Sequence, residues 1–172
     1  REAVQNPADT LSDTALRAAQ VRVDRQGLPL AYSGRFAVVF RLRDNATREW
    51  ALRCFTTPED RHGVPRAERY RLIEGVVRRL PDLLVPYRFA ERGIRVAGRW
   101  YPTLAMPWAD GTPLGRWVET HREDPQRLRR CAGALGAALA RLEEAGVAHG
   151  DWQHDNILVA DDGASVRFVD YD

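Results

Sequence analysis

Along this chain the spacing of hydrophobic and polar positions changes several times, and each change predicts an element. Phe36, Val38 and Phe40 alternate with other positions across Arg35 to Leu42, and apolar density returns over Glu49 to Phe55. Asp44, Asn45, Ala46 and Thr47 lie between them, so the two runs predict a β-hairpin. From Arg66 to Leu80 the period lengthens. Ile73, Val76, Val77 and Leu80 then share one helical face, and Pro81 stops the helix. Val85 to Phe89 and Ile94 to Met106 predict two further strands, with Glu91, Arg92 and Gly93 as their turn. Pro107 to Pro113 breaks the pattern as a connector, and Leu114 to Thr120 predicts a short helix. The longest helix is expected over Pro125 to Ala145, with Leu128, Cys131, Leu135, Leu139 and Leu142 in register and Gly146 as its stop. The first 30 residues are polar, broken by Pro7, Gly27 and Pro29, with a modest helical pattern from Leu11 to Val21. They read as a lead-in to the fold.

The last stretch carries the densest chemistry. A polar loop from His149 to Asn156 runs into Ile157, Leu158 and Val159, a turn at Asp161, Asp162 and Gly163, and a second apolar run of Val166, Phe168 and Val169 that ends at Asp170. Two short strands joined by such a turn form a hairpin. Asp151 and Asn156 would then stand at its entrance and Asp170 at its exit. Carboxylate and amide oxygens are the ligands a hard cation such as magnesium takes, usually together with substrate phosphates.

Composition narrows the classes. With 44% hydrophobic and 29% charged residues in 172, the chain suits one compact unit or two small lobes. A net charge of +2 is too weak to point to nucleic acid. All 26 basic residues are arginine, so any motif that normally needs lysine must be met by another group. Cys54 and Cys131 match no metal or redox spacing and are expected to be reduced, buried thiols of a cytoplasmic protein. No signal peptide and no long apolar run supports export or membrane spanning. The chain begins at Arg1 and stops two residues after Asp170, and is expected to be a piece of a longer protein.

From about Ala31 to the end, these residues resemble the protein kinase superfamily. His149, Gly150, Asp151, Asn156 and then Asp170 match the H-R-D-x-x-x-x-N loop followed by the metal-binding D-F-G. Upstream, Ser33 to Phe40 resembles the tail of the glycine-rich loop, with Gly34 as its second glycine and Tyr32 and Ala37 at the first and third. Trp50, Ala51, Leu52 and Arg53 resemble V-A-I-K, which puts Arg53 where the phosphate-pairing lysine belongs. Met106 falls at the gatekeeper, and Pro107, Trp108 and Ala109 at the hinge. The likeness is closest to bacterial Ser/Thr-kinase-like proteins, through Trp100 to Trp108, His149 to Asn156, and Val169 to Asp172.

The resemblance implies an α+β, two-lobed fold. Its N-lobe, residues 31–106, would be an antiparallel sheet with one helix. Residues 107–113 would be the hinge, and residues 114–172 a partial, mainly helical C-lobe with a short catalytic hairpin. It implies ATP and magnesium as cofactors. Asp151 would be the base that accepts the substrate hydroxyl proton, Asn156 and Asp170 the metal ligands, and His149 a packing residue. Gly34, Phe36, Ala51, Arg53, Met106, Pro107, Ala109 and Leu158 would line the nucleotide. Pro107 would offer its carbonyl and Ala109 its N–H to the adenine ring. Either Glu68 or Glu74 would pair with Arg53. The alternative for each is a surface carboxylate paired with an arginine three or four residues on.

The expected partners are a nucleotide and a protein substrate phosphorylated on Ser or Thr, with neither membrane nor nucleic acid. Four departures bear on turnover. Arg53 is a bulkier, planar replacement for lysine. Tyr32 and Ala37 reduce the freedom of the glycine-rich loop. Asp172 stands where the motif's glycine belongs, and Gln153 replaces a lysine. Two other readings therefore stay open: a nucleotide-binding pseudokinase or scaffold, and a small-molecule phosphotransferase like those acting on aminoglycosides or choline. A transition-metal hydrolase site at His149, Asp151, His154 and Asp155 is disfavoured, since one segment would supply every ligand.

Overall fold

The computed structural model describes residues 1–34, 36–57, 65–148 and 150–170. Arg35, His149, Tyr171 and Asp172, which the sequence reading used, lie outside the described residues. The described chain is a mixed α+β protein with antiparallel sheets. It divides into two compact units: residues 1–71 with 87–108, and residues 72–86 with 109–172.

The first unit is a six-stranded sheet. Strands β1 (Gln20–Val21), β2 (Ala31–Ser33), β3 (Ala37–Arg43), β4 (Glu49–Phe55), β5 (Arg88–Val96) and β6 (Arg99–Pro107) are arranged β1-β3-β4-β6-β5, with β2 also paired to β3. The β3–β4 turn is built around Asp44. Its carboxylate accepts hydrogen bonds from the Arg48 backbone N–H at 2.9 Å, the Arg48 guanidinium at 2.8 Å and the Trp50 indole N–H at 3.0 Å. Those bonds, the Trp50 one foremost, hold the carboxyl down at about 2.

Alternation along the strands divides the sheet into two faces. Phe40, Leu42, Trp50, Leu52 and Cys54 form one core with Ile94 and Ala105. The N-terminal residues join that core: Val4, Leu11, Leu16 and Ala19 are all buried in it. They arrive on two short helices, α1 (Glu2–Gln5) and α2 (Pro7–Thr10), followed by turns and β1. The helix expected over Leu11 to Val21 is therefore absent. Leu11 is extended and bridges Ile94, and Gln20 and Val21 pair with β3, so strand contacts replace helical ones. On the other face, Tyr70 of α3 (Arg66–Val77) stacks on Phe89 and meets Phe55 and Tyr87 at an angle.

The β5–β6 turn also differs from expectation. It sits at Ala97 and Gly98, both with positive φ, not at Glu91 to Gly93. Gly93 lies within β5 at a register shift. A Cβ there would lie 1.9 Å from the Thr103 hydroxyl, so this glycine serves close packing of a bulge and not a turn.

In the second unit, α4 (Leu114–His121) and α5 (Pro125–Glu144) accompany a three-stranded sheet of β7 (Thr112–Pro113), β8 (Ile157–Val159) and β9 (Val166–Phe168), in that order. Asp124 caps α5 by accepting from the N–H groups of Gln126 and Arg127, with Pro125 in the first turn. Gly146, at φ 68, ends it, as the sequence predicts. At 100° per residue, Cys131, Ala138 and Leu142 share the buried face, while Leu139 swings to its edge and is 38% exposed. The expected register was thus right in period and wrong about Leu139. The helix α3 stops at Val77, with Leu80, Leu83 and Leu84 continuing the buried pattern in turns, and Leu84 bridges Phe168. Both thiols are free and buried, and burial pushes Cys54 up to about 12 and raises Cys131 as well. Among the described residues, no helix is long and apolar enough to cross a membrane.

Candidate functional site

The oxygen-rich end of the second unit is assembled from one loop and one hairpin. Gly150, at φ 83, turns the chain into Asp151, a backbone geometry that favours glycine. Residues His154–Asn156 then form a single 3-10 turn that delivers the chain into β8. Asn156 Nδ2 donates to Asp151 Oδ2 at 2.9 Å. Asn156 O accepts from the N–H of Val169 at 2.9 Å, which ties the start of β8 to the residue before Asp170. The structure therefore gathers Asp151, Asn156 and Asp170 at one end of the β8–β9 hairpin. Asp170 adopts φ 59, a left-handed conformation uncommon outside glycine. Such outliers collect at functional sites, where the surroundings hold them in place.

With Nδ2 committed to Asp151, the Asn156 amide turns its carbonyl oxygen away from that carboxylate. An amide oxygen and the Asp170 carboxylate are hard donors of the kind magnesium takes, alongside phosphate oxygens. Among the described residues, no group of three His, Cys, Asp or Glu side chains is disposed to hold a metal ion by itself. His154 Nδ1 lies 3.1 Å from Asp155 Oδ1, and a Cβ at Gly115 would lie 2.9 Å from that ring atom. Leu158 pairs with Pro113 and Arg167 as the middle residue of the central strand β8.

In the first unit, strand register decides which residues meet. Val39 opposes Arg53, Arg41 opposes Ala51, and Ala51 opposes Met106, so all five share the sheet face away from the N-terminal core. Arg53 lies over the Phe55 ring, 5.3 Å from its centroid. Gly34 sits in the turn between β2 and β3, where its N–H donates to Ala37 O at 2.9 Å. A Cβ on Gly34 would meet only Ala37 O at 3.6 Å, so the fold has room for a side chain that the sequence does not place there. Phe36, next in the turn, is 41% exposed and accepts from the Thr56 N–H and hydroxyl.

Pro107 closes β6 opposite Trp50, and the Trp108 N–H donates to Glu49 O. Trp108 carries Arg41 over its ring and Tyr32 beside it, a cluster the motif reading did not weigh. Trp108 follows β6 and is far in sequence from Tyr32 and Arg41, so only the sheet pairing brings the three together. Glu49 anchors this corner by accepting from Arg22 and Arg41, which lowers its pKa, Arg22 contributing most. Ala109 belongs to the second unit and is half-buried. Of the two glutamates, Glu74 pairs with Arg78 four residues on, at 2.7 Å, while Glu68 is exposed in the first turn of α3. Trp152 was also passed over. It is 48% exposed beside Asp151, with its ring edge-on to the fully buried Phe168. Compared with known protein families and with curated proteins, the chain matches none.

Proposed function

We propose that this chain is part of a phosphotransferase of the protein kinase type. In this reading it is a cytoplasmic, two-lobed protein that binds ATP with magnesium and transfers the γ-phosphoryl group to a hydroxyl on Ser or Thr of a protein. One observation carries the reading: the Asp151–Asn156 hydrogen bond and the Asn156–Val169 backbone bond set a base-like carboxylate, an amide and the left-handed Asp170 together at one hairpin end. The order of strands in the first unit, and the shared face of Ala51, Arg53 and Met106, support a nucleotide-lining sheet.

In the reaction, Asp151 Oδ accepts the proton of the acceptor hydroxyl as its oxygen bonds to the γ-phosphorus. The β–γ bridging oxygen leaves with ADP. Asn156 donates to Asp151, which orients that carboxylate, and Asn156 and Asp170 would hold the magnesium, whose bound charge offsets that of the phosphates. Arg53, on the strand face of the first unit, would offer a permanent positive charge to the phosphates of a nucleotide bound on that face. Catalysis of this kind is mainly positioning and charge neutralisation.

The same Arg53 favours a second reading, a nucleotide-binding scaffold without turnover. A planar guanidinium is not a conservative replacement for an ammonium group at a phosphate site. Thermal-shift measurement with ATP and magnesium tests the binding claim: a rise in Tm in the wild type that Asp170→Ala abolishes is expected. Unchanged magnesium-nucleotide affinity in Asp170→Ala overturns the site assignment. Phosphate transfer by Arg53→Lys alone, and not by the wild type, selects the scaffold reading.

A further inference from the structure

The β5–β6 hairpin carries a surface that phosphoryl transfer does not use. Its turn is Val96, Ala97, Gly98 and Arg99, all exposed, with Val96 at 42%. Behind that tip, Arg92 and Arg95 lie over the Trp100 ring at 5.4 and 5.9 Å, and Arg99 lies over Tyr101 at 5.9 Å. All three arginines are exposed, and both aromatic rings are half-buried. β4 reaches only as far as Thr103 in its pairing with β6, so the two-stranded end runs on past it. The other edge is fixed by the N-terminal segment, through the Leu11–Ile94 bridge and the Ser12 N–H to Gly93 O bond.

Three other stacked arginines in this unit are neutralised by carboxylates. Arg41, over Trp108, pairs with Glu49; Arg48, over Trp50, pairs with Asp44; and Arg88, also over Trp50, pairs with Asp13. Among the described residues, no carboxylate lies within ion-pair distance of Arg92, Arg95 or Arg99. Arg95 bonds only the backbone carbonyl of Asp9, at 3.4 Å, and Glu91 is the acidic residue nearest in sequence. Three guanidiniums are therefore held in place by aromatic rings and left with their N–H edges for an outside anion.

We propose that this hairpin end docks on an anionic membrane surface. The end of the ribbon brings together the groups a bilayer interface takes. Val96 and Arg99 face each other at the tip and Arg95 faces Trp100 just behind, so an apolar side chain, guanidiniums suited to lipid phosphates and aromatic rings of the kind found at headgroup level share one short stretch. A peripheral contact of this type needs no spanning helix, so it is compatible with the lack of an apolar run that led the sequence to suggest no membrane partner.

The intact protein is to be sedimented with vesicles of phosphatidylcholine alone, or with roughly one-third phosphatidylserine. Partition into the anionic vesicles alone is expected, lost at about 1 M salt, where screening acts within a few ångströms. Each of Arg92→Ala, Arg95→Ala and Arg99→Ala should weaken it roughly fivefold. Val96→Ser should weaken it while leaving its salt dependence unchanged. Circular dichroism should be unaltered, since these side chains are exposed. Equal partition of the triple arginine variant and the wild type overturns the proposal. So does arginine-dependent retention on duplex DNA without vesicle binding, which assigns the surface to nucleic acid.

Discussion

Asp151, Asn156 and Asp170 belong to one loop and the hairpin it feeds, and two hydrogen bonds gather them. Val39, Ala51, Arg53 and Met106 come from three strands and meet only because those strands pair in one register. The acidic cluster is therefore specified locally, whereas the strand face depends on the whole sheet and on what packs behind it. A substitution in the loop should act on chemistry alone. One in the sheet should act on stability first and on the face second.

The largest effect expected from this difference is on turnover. Asp151→Asn keeps the shape of the loop and removes the proton acceptor, so phosphate transfer should fall by about 10²- to 10⁴-fold with nucleotide affinity within a factor of two. Single-turnover kinetics alongside calorimetry check this; equal losses of affinity and rate would mean that Asp151 holds the loop together and does no chemistry. Next comes the support of the strand face. Leu16 is fully buried in the core behind it, so Leu16→Ala should cost about 2–5 kcal/mol in urea unfolding and leave the Asp151–Asn156 loop intact. A cost near zero would mean the N-terminal residues do not support the sheet.

These two elements also differ in how far the sequence discloses them. The loop was legible because its spacing is short and its residue types are those of hard-cation ligands. The hairpin strands followed from apolar runs flanking a turn of Asp161, Asp162 and Gly163. The burial of Leu16 and Ala19 was not legible, because the modest pattern from Leu11 to Val21 points to a helix, while the core they join is built from residues distant in sequence, Phe40 and Ile94 among them. The β5–β6 turn was misplaced for a related reason. Glycine at position 93 signals a turn in isolation, and only the Thr103 side chain shows that it answers to packing. In α5 the period was readable, but its centre depended on Ala138, a small residue with little weight in a hydrophobic pattern. Glu74 took the helical partner the sequence offered it, Arg78, because i to i+4 geometry is met within the helix itself.

A third test bears on the corner that sets the β3–β4 register. Since Asp44 is held at about 2 against an ordinary value of 3.8, its contribution to stability is complete above pH 3.8 and is lost as pH falls towards 2. Asp44→Asn should flatten acid unfolding over that interval, as followed by tryptophan fluorescence. An unaltered acid limb would remove Asp44 as the anchor of the turn. The smallest effect belongs to Glu74. Glu74→Gln loses an exposed helical pair and should change stability by less than about 0.5 kcal/mol, while a larger loss would give that carboxylate a second role.

The two cysteines have a practical use that follows from their placement. Cys54 lies in β4 of the first unit and Cys131 in α5 of the second, each buried and each with its thiol shifted away from the reactive thiolate. An alkylating reagent added to the native protein can then reach either sulfur only when the surrounding unit opens. Mass spectrometry of the two labelled peptides would time those openings separately, and nucleotide can be added to see which slows, without any probe being introduced into the chain.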